Sequence, residues 1–312
     1  MKNPHFVNIE PGQSGSDSED RIQTEPFDKK TQAKAKQAAV LLPDISLAIA
    51  KVCEEPFIQT GQHSDIGTHR KQNEDTAMSI VSLCGGETPL VPLAISLVAD
   101  GMGGHADGAN ASRSVSNYVC QNLLSRILIP LMSNTTVTEP VQSIMKRAVQ
   151  DASRVIHTDD SEQIGGTTLT CGVIIKSRLF LAHVGDSRAY LFDESSGALK
   201  QITHDHSYVQ QLIDSGEITP EEAAVHPRRN LLYRAITGAE VEIDMFTCAL
   251  PKTGTLMICS DGLWGSAPDA MMQQVIANNK ISLQDRCEQL VALAIEGGTT
   301  DNISVVLTSF RL

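Results

Sequence analysis

Four aspartates stand at the ends of apolar runs in this 312-residue chain. Asp100 follows AISLVA, Asp186 follows LFLAHVG, Asp261 follows TLMICS, and Asp301 lies just before the run ISVVL. A carboxylate at the mouth of a buried strand is costly unless something positive meets it. Taken singly, an aspartate reads as a turn or helix-cap residue; four at equivalent positions form a pattern. Gly101 and Gly262 follow two of them, which lets the backbone turn sharply and approach a ligand closely. If the folded chain gathers these ends, they form an oxygen-only carboxylate cluster. That donor set suits Mg²⁺ or Mn²⁺, whereas zinc would prefer His or Cys. Two such ions can clamp a phosphoryl group and lower the pKa of a bridging water, so no Ser or Cys nucleophile is required. The non-bridging phosphate oxygens then need a cation. Arg70, in the stretch HRKQNED (69–75), is the candidate because guanidinium meets phosphate bidentately. Taken alone, Arg70 reads as a surface residue.

Hydrophobic periodicity indicates the elements that must hold these groups. Strands are expected at 92–99, 168–175, 178–184, 255–260 and 303–308. Helices are expected at 109–128, 140–157, 207–215, 268–279 and 284–296. Strands follow one another directly within 168–192, where Lys176-Ser177 reads as a hairpin turn. Hairpins plus separate helices favour an α+β layer arrangement over a strictly alternating parallel sheet.

The formal net charge of −12 argues against a nucleic-acid partner, whose phosphates Lys and Arg would have to neutralise. Aromatic residues make up 4% of the chain, too few for a base-stacking surface. The seven cysteines are scattered with no C-x-x-C pair, which fits a reducing compartment and a cytoplasmic location, delivery to another compartment being left open. No apolar run approaches the ~18 residues of a membrane span. Residues 1–36 read as a disordered leader, and 37–60 as an N-terminal extension in which Pro43 interrupts any long helix. The extension reads as an element docking on the domain or as a membrane- or partner-binding segment. The remaining residues, 61–312, read as the catalytic domain, with the chain acting as a monomer.

In order along the chain come SDIGTHRKQNEDTA (64–77), LVADGMGGHADGANAS (97–112), GGTTLT (165–170) and HVGDSRAYLF (183–192). They are followed by the long segment 204–237, CSDGLWG (259–265) and TTDNISVVL (299–307). Together these blocks resemble the metal-dependent PPM (protein phosphatase 2C-like) Ser/Thr phosphatase family in its bacterial form. The resemblance implies a four-layer α/β/β/α sandwich of two mainly antiparallel sheets flanked by helices, with a dinuclear Mn²⁺ or Mg²⁺ centre between the sheets. It also implies phosphoserine and phosphothreonine proteins as substrates. Carried over by motif, Asp100 looks like the carboxylate bridging both metals, and Gly101 would offer its carbonyl to one of them. Asp261 and Asp301 would hold the other. Glu74 and Asp75 look like groups behind the ligands that orient water, and Arg70 matches the phosphate-binding arginine. Asp186, with Asp261, matches a weaker third metal site. Residues 204–237 look like the flap beside the active site, where Arg228, Arg229 and Arg234 could meet an acidic phosphopeptide or form a solvated or internally paired cluster.

Met102 occupies the position where eukaryotic members carry a His proposed as general acid, and His105 lies three residues further on. Leaving-group protonation then falls to His105 or to a metal-bound water, with a structural role for His105 as the alternative. His204 and His206 lack metal-ligand spacing and read as loop residues. Gly101–Ala106 also reads G-x-G-x-x-A, a dinucleotide-binding pattern. Asp100 would then sit beside the pyrophosphate, and no acidic residue between Asp107 and Glu139 is available for a ribose. A catalytically inactive phosphatase fold used as a regulatory or binding module is the second alternative, although such modules usually lose metal carboxylates.

Overall fold

Along Val91–Ala99, residues Leu93, Ile95, Leu97 and Ala99 join one hydrophobic cluster while Ala94 and Val98 join another. Both faces of this strand are therefore covered, which is why its sequence is an almost unbroken apolar run. The same division recurs in Thr253–Cys259 and Ile303–Arg311. The computed structural model describes residues 56–84, 91–103, 106–133, 135–156 and 165–312. The expected leader, the extension up to residue 55, and His105 lie outside the described residues.

In chain order the first elements are β1 (Phe57–Asp65), β2 (Thr76–Cys84), β3 (Val91–Ala99), β4 (Gly101–Met102) and α1 (Ala106–Leu123). A π turn (Leu124–Leu128) leads into α2 (Ile129–Met132), then α3 (Val141–Val155). Next come β5 (Gly166–Thr167), β6 (Leu169–Ile175), β7 (Arg178–Val184), β8 (Arg188–Asp193) and β9 (Ala198–Gln201). They are followed by α4 (Tyr208–Asp214), α5 (Pro220–Ala224), β10 (Asp244–Ala249) and β11 (Thr253–Cys259). The last are α6 (Asp261–Trp264), α7 (Asp269–Ile276), α8 (Leu283–Glu296) and β12 (Ile303–Arg311).

Among the described residues, two antiparallel sheets run β1-β12-β11-β8-β9 and β10-β7-β6-β3-β2. Between them lie Val98, Ile174 and Leu181 from one sheet and Ile258, Val306 and Phe310 from the other. Ser96 and Thr308 bridge this apolar layer with a hydroxyl–hydroxyl hydrogen bond of 2.7 Å, so neither buried hydroxyl is left without a partner. On the outer face of the second sheet pack Val115, Val119 and Leu123 of α1 and Ile144, Met145, Ala148, Val149 and Ala152 of α3. The latter spacing is that of one helix face. Leu290, Val291 and Ala294 of α8 cover the outside of the first sheet, giving the expected four-layer sandwich. β1 starts at Phe57, and Phe57–Thr60 pair with Thr308–Arg311, so the sheet begins four residues before the expected boundary at 61. The strand is an edge strand rich in polar residues, and periodicity gives it little contrast with the segment before it.

Antiparallel pairing carries the functional positions to one rim. Asp65 pairs with Ile303, Thr76 with Ala99, Leu169 with Val184, and Cys259 with both Val305 and Arg188. The C-terminal ends of β1, β3, β7 and β11 thus meet the N-terminal ends of β2, β6, β8 and β12. Asp100, Asp186 and Asp261 leave that rim, and Asp75 and Asp301 enter it.

Candidate active site

Asp100 is anchored through its backbone. Its N–H donates to Thr168 Oγ1 (3.0 Å), and its carbonyl accepts from Thr168 N–H (2.8 Å) and Thr167 Oγ1–H (2.9 Å). Gly101 donates its N–H to the Glu74 carbonyl (3.2 Å). A Cβ at Gly101 would lie 2.3 Å from the Gly108 carbonyl oxygen and 2.6 Å from that of Glu74, so only glycine fits this contact. Glu74 is buried; its N–H donates to Asn302 Oδ1 (2.9 Å), and its carbonyl also accepts from Ser112 Oγ–H (2.6 Å).

Asp75 Oδ2 accepts a hydrogen bond from Ser260 Oγ–H at 2.7 Å, while its buried Oδ1 has no hydrogen-bond partner. The buried Oδ1 of Asp261 is likewise unpartnered. Asp186 is buried, and its backbone carbonyl accepts from Trp264 Nε1–H (3.0 Å). Arg188 stacks 3.5 Å over the Trp264 ring and is held by both carboxylate oxygens of Asp205. Asp301 accepts from Arg70 Nη2 on Oδ2 (2.7 Å) and from Asn302 N–H on Oδ1 (2.8 Å).

Enclosure in the protein and the proximity of like charges push these carboxyls upward. Asp261 rises to about 6, through burial and then the charge of Asp301. Asp75 rises to about 7, chiefly through burial, against the hydrogen bonds from Ser260 and Ser304. Asp100 stands well above the usual carboxylate range through burial and the charges of Asp75, Asp261, Asp186 and Asp301. Asp186 is raised for the same reason, with Asp261 and Asp205 as its like-charged neighbours. Arg70 is raised by its hydrogen bond to Asp301 and by the charges of Asp301, Glu74 and Asp100.

Every predicted site residue within the described region therefore stands on the same rim. The cluster fits hard divalent cations: its donors are all oxygen, its charges repel, and two carboxylate oxygens are buried without partners. Among the described residues no group of three or more His, Cys, Asp or Glu closes into an ion cage by itself. Ions here would complete their coordination with water and a backbone oxygen, as Mg²⁺ commonly does.

The segment 204–237 is tied to this rim at both ends. Thr167 and Ile236 exchange two backbone hydrogen bonds of 2.9 Å, and His206 N–H donates to the Gly185 carbonyl (2.8 Å). His206 lies in a loop, as expected, but it is buried there, and its Nδ1 accepts from Gly185 N–H (3.0 Å). His204 lies nearer the surface and pairs with Asp214 through Nε2 (2.7 Å). Arg234 is committed internally to Asp244 and Glu242. Arg228 lies over the Tyr208 ring and Arg229 is exposed. Asn302, Ser260, Thr168 and Trp264 were not legible as site residues; each acts through neighbours distant in sequence, although all four stand inside the TTDNISVVL, CSDGLWG and GGTTLT blocks.

A family model described as Protein phosphatase 2C matches residues 64–211. The serine/threonine phosphatase stp of Listeria welshimeri serovar 6b is 34% identical over 226 residues, covering 70% of this chain and 85% of that protein. The crystal structure of the Mycobacterium tuberculosis serine/threonine phosphatase PstP/Ppp aligns with a TM-score of 0.69 at 31% identity, covering 82% of this chain and 99% of that one. The catalytic domain of PstP in complex with 2 manganese ions aligns with a TM-score of 0.66 at 30% identity over the same shares. Sequence, fold and the carboxylate rim agree, and the chain belongs to the protein phosphatase 2C family.

Proposed function

We propose that this chain hydrolyses phosphoserine and phosphothreonine in proteins at the carboxylate rim. Serine/threonine dephosphorylation is the activity that its family membership carries. The observation that carries the assignment of roles is the convergence of Asp100, Asp186, Asp261 and Asp301 with unpartnered buried oxygens beside the Arg70 guanidinium. Asp100, the Gly101 carbonyl, Asp261 and Asp301 would hold two divalent cations, Mn²⁺ or Mg²⁺, and Asp186 with Asp261 a weaker third. Bound there, such ions would supply an activated water and offset charge on the phosphoryl group.

The chain's own groups do the rest. Arg70 reaches the phosphoryl oxygens from the exposed side of the rim and fixes the group for in-line attack. Asp75, oriented by Ser260, offers Oδ1 to a water at the back of the cleft. Glu74 is held by Asn302 and Ser112, so its backbone supports Gly101. The position of His105 outside the described residues leaves leaving-group protonation assigned to His105 or to water. All proposed ligands come from one chain, which supports a monomer as the working unit. Among the described residues no helix is long and apolar enough to cross a membrane, which is compatible with the proposed cytoplasmic location. The inactive-module reading finds no support in the ligand set.

Hydrolysis of a small aryl phosphate and of a phosphoprotein panel, with Mn²⁺ or Mg²⁺ added and after chelation, tests this reading. Activity restored by the metal is expected; turnover that survives full chelation would overturn it.

A further inference from the structure

The loop that carries Arg70 has little of its own to hold it. Residues 68–72 are exposed. Its two ends converge on one side chain: Asn302 Nδ2 donates to the Ile66 carbonyl (2.9 Å) and to the Gln72 carbonyl (3.1 Å). Both hydrogens of that amide are thus spent on closing the loop. Its Oδ1 accepts from Glu74 N–H (2.9 Å), and its own N–H donates to Asp301 Oδ1 (2.8 Å). Asn302 is 3% exposed, so these bonds are shielded from competing water where they meet the side chain. Gly67, at φ +73°, completes the fit, since a Cβ there would lie 2.3 Å from the Asp301 carbonyl oxygen.

We propose that Asn302 is the positioning residue for Arg70: a single buried carboxamide pins both ends of the 66–72 loop and so sets where the guanidinium stands. This rests on the reading of Arg70 as the phosphate-binding group. Closing a short loop at its base removes most of its freedom, and phosphate binding by Arg70 then costs less ordering. The freed carbonyls belong to exposed residues and can take water, so loss of the two donors loosens the loop without forcing the domain to unfold.

The test uses the full chain with Mn²⁺ and reads KM for an aryl phosphate together with competitive inhibition by inorganic phosphate. Asn302→Ser removes the donors without adding charge, and Asn302→Asp keeps an acceptor for Glu74 N–H. Gly67→Ala displaces the same loop from its other side, which keeps the test available if the Asn302 variants do not fold. Each variant is expected to raise KM and the phosphate inhibition constant by about tenfold, with a smaller fall in kcat. Fluorescence of Trp264, the chain's single tryptophan and a hydrogen-bond partner of the Asp186 carbonyl, is read during an Mn²⁺ titration, and in the Asn302 variants it is expected to match the parent. In an Arg70→Ala background the same substitutions should leave both constants unchanged. Equal losses with and without Arg70, or unchanged KM in the Asn302 variants, would overturn the positioning role. If Arg70→Ala alone leaves phosphate inhibition intact, the Arg70 reading itself fails, and the positioning role with it.

Discussion

Asp261 illustrates how one residue can serve chemistry at the expense of stability. Its carboxyl is raised to about 6 by burial and by Asp301, and its Oδ1 has no partner. At neutral pH a metal-free protein must hold this charge against its neighbours. Asp261→Asn is expected to cost at least about a hundredfold in kcat with Mn²⁺ present. In the chelated protein the same change should stabilise the fold by about 1–3 kcal/mol, the free-energy equivalent of its pKa shift. Urea unfolding with and without chelator checks this. A variant that is both inactive and less stable would show that Asp261 is a structural residue. Asp100→Asn should show the same opposition, because burial and four surrounding carboxylates raise its carboxyl too.

At the scale of elements, two close contacts set the rim. The turn from β11 into α6 brings Gly262 so near β12 that a Cβ would lie 2.0 Å from the Asn302 carbonyl oxygen. Gly262→Ala should therefore shift α6 and Asp261 together, costing about 1–3 kcal/mol and weakening Mn²⁺ binding. Chemical denaturation and a Trp264 fluorescence titration measure the two effects. The β6–β7 hairpin offers the opposite case. Lys176 occupies the left-handed region at φ 53°, in the two-residue turn expected from the sequence. Lys176→Gly should stabilise by roughly 0.5–1 kcal/mol, since the strain relieved exceeds the added freedom of the unfolded chain. Activity should not change, because the turn lies at the opposite end of β6 and β7 from the aspartates. Strands β3, β6, β7, β11 and β12 were legible because they are covered on both faces and read as continuous apolar runs. β1, β2, β9 and β10 were not, because they are edge strands with polar residues interspersed.

For the whole molecule, charge and pH are linked through the rim. Residues 1–64 hold nine acidic and seven basic side chains, so 7 − 9 = −2, and −12 − (−2) = −10 belongs to the rest of the chain. Part of that charge is the carboxylate cluster. Asp75 and Asp261 have folded-state pKa values of about 7 and about 6, both above the ordinary 3.8. A carboxyl raised in this way favours the folded state when protonated. Its contribution is fully present below about pH 4 and is lost as pH rises through 6 and 7. The chelated protein should therefore lose thermal stability between about pH 5 and pH 8. Added Mn²⁺ should raise Tm at both ends of that range, and more at pH 8, where the cluster is fully ionised. Scanning calorimetry at matched ionic strength measures this. A Tm gain that is equal at pH 5 and pH 8 would detach the cluster from metal binding.

The sequence by itself indicated which residues are candidates for the chemistry and determined which runs form the interior of the sandwich. Both are local properties: apolar periodicity reports burial, and an aspartate at the end of a buried run stands out against it. Only the tertiary structure decided that Asp75, Asp100, Asp186, Asp261 and Asp301 share one rim, because strand register within each sheet and the packing of one sheet on the other, not spacing along the chain, bring them together. It also made His206 a buried anchor of the 204–237 segment. Asn302 is the plainest case. Its partners Ile66, Gln72 and Glu74 lie 228 to 236 positions away, so its place in the TTDNISVVL block says nothing of the loop it closes. Its role exists only once β1 and β12 lie side by side.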